Sequence, residues 1–124
     1  MVNVLLVDDA AYMRQLLKIM LAKDNHEVIG EAKTGTEGVA QYKELKPDLV
    51  ILDITMPDMG GLDALQLIRE YDPNAKVLLC TASDQASHRR KAEELKVAGY
   101  LVKPINRANL LATVAEICPK DSLL

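Results

Sequence analysis

The chain alternates short runs of apolar residues with longer segments in which apolar residues recur at helical spacing. Four runs are almost uninterrupted in their hydrophobicity: residues 4–7, Leu49–Leu52, 77–80 and 100–102. Such runs are typical of strands that are buried on both faces of a parallel sheet. A fifth segment, Glu27–Ala32, has fewer aliphatic residues and carries charge towards both ends, which predicts a strand at the edge of the sheet.

A helix is predicted after each of these strands. Thr34 and Glu37 have the spacing of a capping box at the start of the second helix. The fourth helix, predicted over residues 84–98, has few apolar residues, and the fifth is predicted over residues 107–118. The apolar stripes, in chain order, are Met13, Leu16, Leu17, Met20 and Leu21; Val39, Tyr42 and Leu45; Leu62, Leu65 and Ile68; Ala86, Ala92, Leu95 and Ala98; and Leu110, Leu111, Val114 and Ile117.

Strands that alternate with helices predict right-handed crossovers, with helices on both faces of a doubly wound parallel sheet. We predict an α/β, flavodoxin-like (βα)5 fold with the strand order 2-1-3-4-5. This order places the uniformly apolar first, third and fourth strands at the centre and leaves the other two at the edges. We expect one domain over residues 1–119 and a C-terminal tail over residues 120–124.

Each of the four apolar runs is followed by one or two polar residues whose side chains can bind a ligand or take part in a reaction. These residues are Asp8 and Asp9, Asp53, Thr81, and Lys103. The carboxyl ends of parallel strands meet at one edge of the sheet, which is where open α/β sheets bind ligands. The sequence therefore predicts a pocket with three carboxylates, one hydroxyl and one ammonium.

Three clustered carboxylates repel one another, and a hard divalent cation relieves that repulsion because carboxylate oxygens are its preferred ligands. We predict Mg²⁺ as the cofactor. Asp53, at the end of a central strand, is the candidate nucleophile that forms an aspartyl phosphate. Lys103 and the metal would balance charge on the transferred phosphoryl group, and Thr81 would donate a hydrogen bond to it.

Composition narrows the function classes. The 124 residues carry a net charge of −3, which gives no electrostatic basis for nucleic-acid binding. No apolar stretch approaches the length of a membrane span, and the first residues lack the features of a signal peptide. Cys80 and Cys118 have no metal-ligand spacing. We expect a cytoplasmic protein with reduced thiols that binds neither nucleic acid nor membrane.

The joint order and spacing of several motifs resemble the receiver domains of two-component response regulators. The motifs are Val7-Asp8-Asp9, Asp53 with Met56-Pro57 and Gly60-Gly61, Thr81-Ala82, and residues 99–104. The resemblance covers essentially the whole chain. The segment 8–14 is similar in particular to single-domain regulators of the chemotaxis type.

The resemblance implies a role for each site residue. Asp53 would be the phosphoacceptor, and Thr81 and Tyr100 would be switch residues that move inward. Lys103 would pair with the phosphoryl group, and its peptide bond to Pro104 would be cis. The Mg²⁺ ligands would be Asp9, Asp53, the backbone carbonyl of Thr55, and Asp8 either directly or through water; Thr55 and Ser83 would tune hydrolysis.

The resemblance also implies partners. The phosphodonor would be a sensor histidine kinase or a small phosphodonor. The output protein, of the flagellar motor switch type or another effector, would bind the face formed by the fourth helix, fifth strand and fifth helix. The protein would be a monomer, or a dimer when phosphorylated, and no enzyme beyond assisting its own phosphorylation and dephosphorylation. The alternative is a regulatory receiver domain cut from a larger DNA-binding or enzymatic regulator.

Other function classes fit the sequence less well. Phosphatases of the haloacid-dehalogenase type need an aspartate two residues after a first-strand nucleophile, and Asp8-Asp9-Ala10 does not provide that pattern. A flavin-binding module of this fold needs a Ser/Thr-rich loop after the first strand, which is missing here. A phosphorylation-independent interaction domain would have no use for the intact acidic set.

Individual residues also have simpler interpretations. Asp8 or Asp9 alone could cap a helix or form a turn, Lys103 could be a surface lysine, and Tyr100 could serve packing only. The run 89–91, Arg-Arg-Lys, is expected to be a solvated helix face, with partner binding as the alternative, and both histidines, His26 among them, are expected at the surface. Lys96 stands where the family commonly has a glycine that ends the fourth helix, which suggests a mobile fourth helix without a left-handed glycine.

Overall fold

The computed structural model describes residues 2–82 and 84–119. Ser83 and the predicted tail over residues 120–124 lie outside the described residues, so the expectations for them stay untested. Five strands alternate with five helices. Their bounds are β1 Asn3–Val7, α1 Ala11–Ala22, β2 Glu27–Ala32, α2 Gly35–Leu45, β3 Leu49–Leu52, α3 Gly61–Tyr71, β4 Val77–Thr81, α4 Ala86–Glu94, β5 Gly99–Val102 and α5 Arg107–Ile117.

The five strands form one parallel sheet in the order β2-β1-β3-β4-β5, which confirms the predicted fold and places β2 and β5 at the edges. Val7 pairs with Leu52, and Thr81 pairs with Val102. This register brings the carboxyl ends of β1, β3, β4 and β5 to one edge of the sheet.

Side chains alternate between two apolar layers, as the two-residue period of a strand requires. One layer lies under α2, α3 and α4, and the other lies under α1 and α5. The first layer is built mainly from Leu5, Val7, Val50, Leu52, Val77, Leu79, Val39, Leu65 and Ile68, and the second from Val4, Leu6, Leu49, Ile51, Leu78, Cys80, Leu17, Leu21, Leu110 and Val114. None of the helices within residues 2–82 and 84–119 is both long and apolar enough to cross a membrane.

Two helix predictions need correction. Leu16 was expected in the buried stripe of α1, but its side chain is 39% exposed, because the stripe follows Met13, Leu17 and Leu21 and Leu16 lies beside it. The fourth helix was expected over residues 84–98, but α4 covers only Ala86–Glu94, and Ala92 is its single buried residue within that span.

A Schellman turn ends α4. The Lys96 N–H donates to the Glu93 carbonyl at 3.0 Å, and the Val97 N–H donates to the Ala92 carbonyl at 3.1 Å. Lys96 has a φ of 57°, so a lysine occupies the left-handed position that usually belongs to glycine. Arg69 of α3 stabilises this turn, because its guanidinium donates to the carbonyls of Leu95 and Lys96 at 3.1 Å each.

We predict that Lys96→Gly stabilises the protein by about 1 kcal/mol, because glycine adopts the left-handed conformation without the steric cost that a Cβ brings. The matched control is Lys91→Gly, an exposed position inside α4, where glycine should cost about 1 kcal/mol. Urea unfolding measures both. Equal losses of stability in the two variants would show that the turn is not strained by its lysine.

Candidate functional site

Backbone hydrogen bonds extend the sheet up to the polar residues at its carboxyl edge. The Asp53 N–H donates to the Val7 carbonyl at 3.0 Å, and the Lys103 N–H donates to the Thr81 carbonyl at 2.8 Å. Asp8 follows β1 directly, and its N–H donates to the Ala32 carbonyl at 3.0 Å. The main chain at these positions is therefore fixed by the sheet rather than by a free loop.

The three predicted carboxylates come together. Asp8, Asp9 and Asp53 each offer an oxygen, and these oxygens lie within 4.8 Å of one another. Asp8 is 3% exposed and Asp53 is 6% exposed, whereas Asp9 lies at the surface. Two buried carboxylates and one accessible carboxylate thus share a pocket that opens to solvent on the side of Asp9.

Lys103 supplies the positive charge of this pocket. Its Nζ donates to Asp8 Oδ2 at 2.8 Å and to Asp53 Oδ2 at 3.4 Å. Burial disfavours the charge on Lys103, but the hydrogen bond to Asp8 and the negative charge of Asp53 outweigh burial, so the pKa of Lys103 lies above its usual value. Lys103 is therefore an inward ammonium rather than a surface lysine.

The pKa of Asp53 lies above that of an ordinary carboxyl group. Burial raises it most, and the neighbouring charge of Asp8 raises it further. The charge of Lys103, a hydrogen bond from the Thr81 side chain and one from the Thr55 backbone N–H act in the opposite direction without cancelling the effect of burial. Lys103 alone thus compensates the acidic pair incompletely, and further positive charge in the pocket would stabilise the ionised form.

Asp8 also shapes the start of α1. Its Oδ1 accepts from the Ala10 N–H at 2.9 Å, so the simpler interpretation of Asp8 as a turn residue holds alongside its place in the pocket. The Arg14 Nη1 donates to the Asp8 carbonyl at 2.7 Å, and its Nε pairs with Glu31 at 2.9 Å. The sequence analysis did not predict the contact between Arg14 and the Asp8 carbonyl, because no sequence pattern marks a side chain that binds a backbone carbonyl six residues earlier.

Glycine allows α3 to approach the loop after β3. A Cβ at Gly61 would lie 1.9 Å from the Asp53 carbonyl oxygen, which no side chain can tolerate. The Gly61 N–H donates to the Ile54 carbonyl at 2.7 Å. Gly61 therefore allows the backbone of Asp53 to pack against the first turn of α3.

The donor set fits a hard divalent cation. Asp8, Asp9 and Asp53 offer only carboxylate oxygens, the ligands that Mg²⁺ prefers, and burial together with the charge of Asp8 raises the pKa of Asp53 despite the nearby Lys103 ammonium. These three residues would hold the ion, which would supply Lewis-acid charge for a phosphoryl oxygen. The predicted contribution of the Thr55 carbonyl stays a prediction.

The remaining predicted residue, Tyr100, lies on β5 and is half-buried. Its ring packs beneath Arg89 of α4, whose Cζ lies 4.3 Å from the ring centroid. Arg89 is thus not merely solvated, as the run 89–91 had suggested. The peptide bond between Lys103 and Pro104 is cis.

Comparisons with known proteins agree with this architecture. The profile of the response regulator receiver domain matches residues 4–115. The chain is 44% identical over 115 residues to the chemotaxis protein CheY of Thermotoga maritima, covering 93% of this chain and 96% of that protein. It is 39% identical over 116 residues to a protein-glutamate methylesterase/protein-glutamine glutaminase of Archaeoglobus fulgidus, covering 92% of this chain but 33% of that protein.

A solved structure shows the same fold. The complex of CheX and CheY with BeF3 and Mg from Borrelia burgdorferi contains a chain that superposes with a TM-score of 0.90 at 33% sequence identity. The match covers 93% of this chain and 87% of that chain.

The raised pKa of Asp53 gives a pH dependence. Since the folded protein holds the Asp53 proton more tightly than the unfolded chain does, metal-free protein should lose stability relative to Asp53→Asn as the pH rises from about 4 through the raised pKa. At neutral pH, free Mg²⁺ at about 100 times its dissociation constant should add about 2.7 kcal/mol to wild type. Urea unfolding across this range measures both effects. The same pH profile and the same response to Mg²⁺ in the two proteins would contradict the electrostatic account.

A second prediction concerns the glycine pair. Gly61→Ala should destabilise the fold by about 2 kcal/mol and weaken Mg²⁺ binding, because its Cβ would push the Asp53 backbone out of place. The control is Gly60→Ala, where the nearest atom to the added Cβ is the Ile54 carbonyl oxygen at 3.5 Å. That variant should lose less than about 1 kcal/mol. Thermal unfolding with and without Mg²⁺ distinguishes the two; equal losses would show that the contact with Asp53 is unimportant.

Proposed function

This chain belongs to the family of response regulator receiver domains, and we propose that it is a phosphorylation-activated signalling switch with Asp53 as its phosphoacceptor. The observation that carries the proposal is the convergence of the Asp8, Asp9 and Asp53 oxygens within 4.8 Å beside the Lys103 ammonium. A buried carboxylate among two others is costly unless positive charge offsets it. A structural domain would gain nothing from keeping that arrangement.

The proposed reaction transfers a phosphoryl group. An ionised Asp53 oxygen attacks the phosphorus of a phosphohistidine or of a small phosphodonor such as acetyl phosphate. The bond from phosphorus to the leaving imidazole nitrogen or carboxylate oxygen breaks, and Asp53 becomes an acyl phosphate. Mg²⁺, when bound by the acidic set, supplies charge that the phosphoryl oxygens need.

Lys103 and Thr81 act on the transferred group. Lys103 Nζ lies 3.4 Å from Asp53 Oδ2, so its ammonium is placed to pair with a phosphoryl oxygen on that carboxylate. Thr81 is fully buried, and its side chain already hydrogen-bonds Asp53. A phosphoryl group would take over both interactions, because it presents more negative charge than the carboxylate alone.

The proposed output surface is formed by α4, β5 and α5. The Lys103 N–H donates to the Thr81 carbonyl, so movement of either residue is passed between β4 and β5, and Tyr100 lies three residues before Lys103. We treat this surface as having two conformations, one favoured before phosphorylation and one after it. The phosphoryl group shifts their populations only as far as its interaction free energy with the protein differs between them. A sensor histidine kinase would be the donor, and the output protein would be of the flagellar motor switch type or another effector.

Chemotaxis is the favoured setting, since the chain aligns along nearly the full length of a chemotaxis protein. The alternative, a receiver domain within a larger regulator, has support from the Archaeoglobus fulgidus relative, of which the chain covers only 33%. We further propose a cytoplasmic monomer that dimerises, if at all, on phosphorylation. It would have no catalytic activity beyond its own phosphorylation and dephosphorylation.

The test is incubation with acetyl phosphate, with and without Mg²⁺, followed by intact mass measurement. Wild type should gain one phosphoryl group in the presence of Mg²⁺ only, and Asp53→Asn should gain none. Lys103→Met should slow uptake by about 100-fold, because it removes the cation that faces the phosphoryl group. The matched control is Asp63→Asn, which removes an exposed carboxylate in the first turn of α3. Equal labelling of wild type and Asp53→Asn would refute the assignment of the phosphoacceptor.

A further inference from the structure

Three side chains from three segments meet at the side of the sheet next to the proposed switch. Arg89 of α4 lies with its Cζ 4.3 Å from the centroid of the Tyr100 ring on β5. The Arg89 Nε donates to Asp84 Oδ1 at 2.5 Å, and Asp84 belongs to the connection between β4 and α4. We call this arrangement the Asp84–Arg89–Tyr100 stack. Asp84 and Arg89 are both about half-exposed, at 53% and 47% of their side chains.

The two contacts of Arg89 use different parts of the guanidinium. An arginine fork pairs with a carboxylate at its edge, while its flat face stacks on an aromatic ring. Asp84 thus fixes the orientation of the guanidinium without competing for the face that meets Tyr100. The hydrogen bond with Asp84 also raises the pKa of Arg89.

We propose that Arg89, held by Asp84, is a positioning residue that keeps the Tyr100 ring against α4 and opposes its inward movement. The inference rests on the proposed function together with the inward movement of Tyr100 that the family resemblance implies. A ring that turns towards the sheet must leave the guanidinium, because Arg89 lies on the exposed side of α4. The stack therefore favours the ring position that the structure shows.

The stack also connects to the phosphoryl-binding residues. Asp84 lies three residues after Thr81, whose side chain hydrogen-bonds Asp53. We expect a movement of Thr81 towards a phosphoryl group to disturb the contact between Asp84 and Arg89. Release of Tyr100 is then a consequence of phosphorylation rather than an independent event. The neighbouring Arg90 is exposed on the same helix, and no ring contact or ion pair of it is seen among the described residues.

The experiment uses the full chain with fluorotyrosine and fluorine NMR. The protein has four tyrosines, and Tyr100→Phe identifies the Tyr100 resonance. Each protein is titrated with beryllofluoride in the presence of Mg²⁺, which gives the concentration for half-saturation at Asp53. The variants are Arg89→Gln, Asp84→Asn, their combination and Arg89→Lys, with Arg90→Gln as the matched control.

Arg89→Gln and Asp84→Asn should each shift the Tyr100 resonance before beryllofluoride is added, and Arg90→Gln should not. Without the stack, inward movement of the Tyr100 ring costs less free energy. The beryllofluoride concentration at half-saturation should therefore be about two- to fivefold lower than for wild type. The double variant should change little beyond Arg89→Gln, because both substitutions break one unit. Arg89→Lys should lie between wild type and Arg89→Gln in both measurements, because a lysine keeps the positive charge but lacks the planar guanidinium.

Two results would overturn the positioning role: a Tyr100 resonance and half-saturation in Arg89→Gln that equal wild type, or the same changes in Arg90→Gln. If no protein binds beryllofluoride, the proposed function fails instead. In that case the Tyr100 resonance without beryllofluoride still decides whether Arg89 positions the ring.

Discussion

The site depends on the interaction of one partly buried ammonium with two buried carboxylates. Lys103 reaches Asp8 at 2.8 Å and Asp53 at 3.4 Å, so one positive charge serves two negative ones. In a low-dielectric setting an unbalanced charge is expensive, which is why burial raises the pKa of Asp53 despite that ammonium. The pocket is thus built short of positive charge. A divalent cation bound by the three aspartates would offset this deficit, as the proposed function requires.

The backbone holds the two buried aspartates in place although their charges are not fully balanced. Asp8 and Asp53 follow neighbouring strands, and the sheet ladder continues into both residues. Gly61 lets α3 press directly on the Asp53 main chain, and Arg14 holds the Asp8 carbonyl from the other side. Because neither aspartate can withdraw by moving its backbone, the repulsion between them persists in the folded state and is available for coupling to a ligand.

Sequence alone predicted the sheet and the acidic set because both follow from local signals. Each buried strand is an apolar run, and the residue after it is placed at the shared edge by topology. The features that sequence did not predict depend on contacts between distant segments. Arg89 meets Tyr100 only because α4 packs beside β5, and His26, expected at the surface, is 94% buried at its side chain and accepts from the Val2 N–H. Lys96 takes a left-handed conformation against its own preference, because the Schellman bonds and Arg69 fix the turn around it.

The proposed output face of α4, β5 and α5 has less apolar burial than the central strands of the sheet. Each residue of β3 and β4 is buried, whereas each residue of β5 is only half-buried, and Ala92 alone is buried in α4. Polar contacts replace the missing apolar ones: Arg69 at the end of α4 and Arg89 along its side. Apolar burial is lost only by unfolding, but exposed polar contacts can exchange with water or with another partner at small cost. A surface held in this way can change its arrangement while the central strands stay intact, which is the property a switch built on this sheet requires.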